Sequence, residues 1–167
     1  MGQQILLRSG SAGRFWNAKW TGCIGSTFIW FGGAYLAIIL FCAAMPGESL
    51  DKSDSLNWID GKQICVQLFL PLLAACVMGI WQLVLSICVG SIFGLLGVYC
   101  CLIISAYFTK WYLPGNYLMK IRIEEMLESQ VTLNRMFVFL TVLLTMGILS
   151  GYDIMRRSDY LAMKSDF

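Results

Sequence analysis

The apolar positions of this chain come in long blocks, not in alternation with polar ones. No charged residue occurs from 20 to 47 or from 63 to 109, and runs of about 18 or more apolar residues read as membrane-spanning helices. The second block is too long for one crossing. As a single helix it would extend about 70 Å, whereas a hydrocarbon core of about 30 Å takes about 20 residues. Two crossings and a tight turn fit that length, and the expected turn is Trp81-Gln82. Tryptophan favours the headgroup level, Gln82 can reach water there, and Gly79 eases the bend.

The pattern thus predicts an all-α integral membrane protein. Four transmembrane helices, about 22–44, 63–80, 83–109 and 133–152, form one bundle with both termini on the same side, in a single domain covering 1–167. A polar loop (46–62) follows the first span. "KWYLPGN" (110–116) is an interfacial breaker: Trp111 and Tyr112 mark the headgroups, Pro114-Gly115 ends the helix, and Asn116 can cap a new one. From 117 to 132 the pattern turns amphipathic, with Met119, Ile123, Met126 and Leu127 sharing a face. No glycine or proline separates this stretch from the last span. One continuous helix is therefore expected, extending the fourth span beyond the membrane; a helix lying in the interface is the alternative.

Composition agrees: 58% of the residues are hydrophobic and 13% charged, where soluble domains carry about 25% charge. A net charge of +2 without a dense basic run argues against nucleic acid as a partner. Basic residues divide evenly between the two expected sides, so the positive-inside rule gives no orientation. The first twenty residues are basic, acid-free and contain serine, which is compatible with mitochondrial import and equally with an ordinary basic flank.

Chemistry inside a membrane usually shows as ionisable residues within the spans, and the four span interiors hold none. The chain has no histidine, which removes the commonest metal ligand and haem ligation. Seven cysteines lie in or beside apolar segments and read as small buried hydrophobes. No enzyme, cofactor or metal site is expected. What the spans do carry is small residues at helical spacing: Gly90, Gly94 and Gly97 in the third, Gly147 and Gly151 in the fourth, Gly33 and Ala37 in the first. Such residues let helix backbones approach closely, either within the bundle or against another subunit. In the second span, Gln63, Gln67 and Pro71 share a row. Proline would leave the carbonyl of residue 67 unpaired, so this polar face should turn towards protein or water. Before the first span, Arg14, Trp16, Lys19 and Trp20 form a candidate site for an anionic phospholipid such as cardiolipin.

The expected function is a non-catalytic accessory or structural subunit of a large membrane complex. Its partners would be other membrane subunits and phospholipids, and its place an energy-transducing membrane such as the mitochondrial inner membrane with its respiratory chain. An oligomeric channel or carrier lined by Gln63, Gln67, Thr141 and Thr145 is the alternative, and a four-span trafficking or scaffold protein of secretory membranes a further one.

Overall fold

The computed structural model describes residues 12–44 and 68–165. Among these residues all regular structure is helical: α1 (Ala12–Ala44), α2 (Leu70–Cys88), α3 (Ser91–Tyr107), a 3-10 turn (Pro114–Leu118), α4 (Lys120–Glu128) and α5 (Leu133–Ser165). Three stretches, Gly13–Ile38, Leu70–Cys88 and Leu133–Arg157, are long and apolar enough to cross a membrane; α3 is apolar but shorter, at 17 residues.

The turn in the uncharged block does not fall at Trp81-Gln82. α2 runs through both residues to Cys88, and the chain reverses at Val89-Gly90. Two local causes explain the difference. The Trp81 indole donates its Nε1–H to the carbonyl of Leu143 on α5 at 3.2 Å, so its polar edge is satisfied inside the bundle instead of at a headgroup. Gly90 has φ +119°, a conformation that glycine reaches at little cost and that side-chain-bearing residues avoid. Its carbonyl then accepts from Gly94 N at 3.0 Å as α3 begins. At the other end of α2, Pro71 sits in the first turn, where its fixed φ suits the helix.

The amphipathic stretch is also separate from the last helix. α4 ends at Glu128, and Gln130 takes φ +67°. Gln130 N donates to Leu127 O at 3.3 Å and Val131 N to Met126 O at 3.2 Å, the paired bonds of a Schellman motif with a left-handed residue after the helix. α5 then starts at Leu133 and continues for 33 residues, about 50 Å. That exceeds a bilayer core of about 30 Å, and the apolar stretch of α5, Leu133–Arg157, leaves the surplus at its C-terminal end.

Side-chain contacts define the topology. Gly94 and Gly97 of α3 lie against Ser86 and Leu85 of α2, so these two helices are antiparallel. Leu70 and Ala74 pack with Met136 and Leu140, while Ile80 lies against Gly147, so α2 and α5 run parallel. α1 is antiparallel to both: Trp16 packs with Val84 and Met155, and Cys23 sits against Gly79. The start of α1 and the Gly147–Met155 part of α5 thus lie at one end of the bundle. The 3-10 turn and α4 cover the other end, where Tyr117, Ile123 and Met126 complete the core.

Candidate functional site

The residues singled out before the first span separate in space. Trp16 is fully buried and donates its indole N–H to Ile148 O of α5 at 3.0 Å. It is a strut of the bundle, because an indole donor in an apolar setting needs an acceptor and α5 supplies one. Trp20 is partly exposed and bonds Asn17 Oδ1 at 3.1 Å, and Lys19 Nζ lies 5.4 Å from the Phe15 ring. The two tryptophans therefore do not form one lipid-facing pair; Trp20, Arg14 and Lys19 remain on the outside.

The glycines separate into three roles. A Cβ on Gly94 would come within 2.9 Å of Gln82 O and Ser86 N, which are backbone atoms, and one on Gly97 would reach Leu85 Cδ1 at 3.0 Å. On Gly147 it would meet Ile80 Cγ2 at 2.8 Å, and on Gly151 it would overlap the Trp16 ring. These four sit at close approaches inside the chain. Gly90 does not: among the described residues nothing lies within 4 Å of its Cβ position, and its part is the reversal itself. Among the same residues, Gly22, Gly25, Gly32 and Gly33 of α1 also have nothing within 4 Å. At 100° per residue these four fall within an arc of about 100°, opposite the Trp16–Cys23–Thr27 face that meets α2 and α5. This outward face continues through Ile29 (77% exposed) and Leu36. Beyond Trp16, no described side chain of α1 is buried.

Gln63 and Gln67 lie outside the described residues. The hydroxyls of Thr141 and Thr145 donate to carbonyls of their own helix, Phe137 O at 2.8 Å and Thr141 O at 3.1 Å, and both side chains are on the exposed side of α5. They do not face a channel within this chain.

A polar cap forms where the pattern gave only a breaker. Asn116 is fully buried, and its Nδ2 donates to Phe108 O and Lys110 O, each at 2.9 Å. It fastens the segment leaving α3 and does not cap α4; its Oδ1 has no partner. Gly115 is required here, since a Cβ would lie 2.5 Å from Ser105 Oγ. The Tyr117 hydroxyl donates to Trp111 O, and burial pushes this phenol up to about 12. Arg122 donates to Thr109 Oγ1, to Glu125 Oε2 at 3.0 Å, and to Ala106 O at 3.0 Å in the last turn of α3. A cation there complements the helix dipole. Hydrogen bonds from Arg122 and Thr109 hold Glu125 below the usual carboxylate range. Outside this network, the Arg135 guanidinium lies 5.7 Å from the Trp111 ring, which meets Phe139 edge-on at 5.3 Å.

The donors in the cap end on backbone carbonyls, on the Thr109 hydroxyl or on the Glu125 carboxylate, which accepts from both Arg122 and Thr109. The cap therefore holds helix ends in place. Among the described residues no three metal-ligating side chains come together. No family model matches the chain, and no curated protein or solved structure is significantly similar to it.

Proposed function

We propose that the protein is a non-catalytic structural subunit of a larger membrane assembly. The observation that carries this reading is the outward face of α1. A glycine in a helix interior costs about 0.5–1 kcal/mol relative to alanine, and small residues offset that cost where another backbone packs on them. Inside the chain Gly94 meets the backbone of α2, and Gly97, Gly147 and Gly151 meet side chains, whereas Gly22, Gly25, Gly32 and Gly33 have nothing within 4 Å among the described residues. A helix from another subunit packed on this face would use them. The charged side chains of the apolar helices are confined to their ends, which supports a role in assembly over one in transport or catalysis.

An energy-transducing membrane, with the mitochondrial inner membrane first, is the location we favour. It rests on the basic, acid-free stretch at 1–20. Purification in mild detergent from native membranes, followed by identification of co-purifying chains, tests both parts. A stable assembly with fixed partners is expected. A chain that purifies alone or only as copies of itself would overturn the subunit reading, and partners confined to secretory membranes would overturn the location.

A further inference from the structure

A cleft of about 260 Å³ lies between α2, α3 and α5, walled by Val77, Trp81, Leu85, Gly97, Val98 and Leu143. Tyr112 and Pro114 also line it, on the side of the polar cap. From Val77 to Leu85 it runs about 12 Å along α2. Its lining is apolar apart from the Cys101 thiol, the Tyr112 hydroxyl and the Trp81 indole, and the indole is already bonded to Leu143 O. A void with such walls stays dry and takes hydrocarbon.

The cap side of the cleft has the opposite character. Trp111 and Tyr112 stand there as adjacent rings, 6.2 Å apart, and Arg135 lies over Trp111. Arg135, Phe139 and Leu143 are four apart on α5, so one stripe leads from the guanidinium to the cleft wall. Lys110 precedes Trp111 and is exposed. The described carboxylates in ion pairs go to Lys120 and Arg122, so neither Lys110 nor Arg135 has a carboxylate within ion-pair distance among the described residues. Aromatic rings and unpaired cations above an apolar slot match the order of a phospholipid, phosphate first and acyl chain below.

We infer that this cleft holds one acyl chain of an anionic phospholipid from the surrounding bilayer, with its phosphate between Arg135 and Lys110. The site is distinct from the outward face of α1 and does not depend on the subunit reading. Its test uses the full chain reconstituted in nanodiscs containing phosphatidylglycerol with a photoactivatable acyl chain, cross-linked sites being mapped by mass spectrometry. Adducts concentrated on 77–85 and 97–101 are expected. Val98→Trp should abolish them by filling the slot. The double substitution Lys110→Gln/Arg135→Gln should lower the yield about thirtyfold, the scale set by two cations at an anionic headgroup, while a phosphatidylcholine probe is little affected. Adducts spread equally over the exposed Ile92, Phe93 and Leu96 would overturn the site, as would yields unchanged by both sets of substitutions. If Val98→Trp fails to fold, the wild-type adduct map and the charge-neutralised protein still decide.

Discussion

At Gly94 a side chain would strike the backbone of α2, which cannot move aside as a flexible side chain can. Gly94→Leu should therefore cost about 1–3 kcal/mol through overpacking, read as a lower thermal midpoint in detergent. Gly33 is the same residue type on a face with nothing nearby. Gly33→Leu removes a poor helix former and should leave the isolated chain as stable or more so, by up to about 1 kcal/mol. Spacing made both glycines visible in the sequence but could not say which neighbour each one met. Gln130 shows the opposite failure. A left-handed residue closes α4 there, at a cost of about 1–2 kcal/mol for a side-chain-bearing residue, and a glycine would have announced the stop. Gln130→Gly should accordingly raise stability by about 1 kcal/mol, and a lower midpoint would remove the helix stop from the account.

Among the elements, the reversal was legible as a necessity and illegible as a position. The length of the uncharged block demanded two helices; the choice between Trp81 and Gly90 depended on whether the indole found an acceptor, and Leu143 lies 62 residues further along the chain. Thiol labelling separates the two. In a background without native cysteines, Gln82→Cys should resist a membrane-impermeant reagent, and Val89→Cys, at the exposed reversal, should react quickly. Fast labelling at 82 alone would restore the earlier turn. The polar cap was invisible for a related reason: Asn116, Arg122 and Glu125 look like ordinary interfacial residues until Phe108 O, Ala106 O and Thr109 are placed beside them. Its titrations have opposite signs. Tyr117 has a raised pKa, so the stability it confers is complete below about pH 10, the ordinary phenol value, and is lost as pH rises towards about 12. Glu125 has a lowered pKa, so its contribution holds above the ordinary carboxylate value and disappears as pH falls through the folded one. The part of the phenolate absorbance that Tyr117→Phe removes should appear together with loss of helix at high pH, and Glu125→Gln should flatten the acid limb only. If that part forms near pH 10 with the helices intact, the buried Tyr117 is contradicted.

For the whole molecule, the apolar blocks made the helical membrane class plain, and the contacts among α1, α2, α3 and α5 give it a bundle in which one helix is half used. α1 reaches α2 and α5 through Trp16, Cys23 and Thr27 and presents its other face outward. No pattern in the sequence marks that asymmetry, because both faces are apolar and only the bundle tells them apart. The most direct measurement compares the mass and composition of the natively purified assembly for wild type, Gly25→Leu/Gly33→Leu and Gly94→Leu. The account predicts that the α1 double variant keeps its helical content and thermal midpoint yet loses its partner chains, whereas Gly94→Leu loses stability first. Partner chains retained in full by the α1 double variant would contradict the central claim.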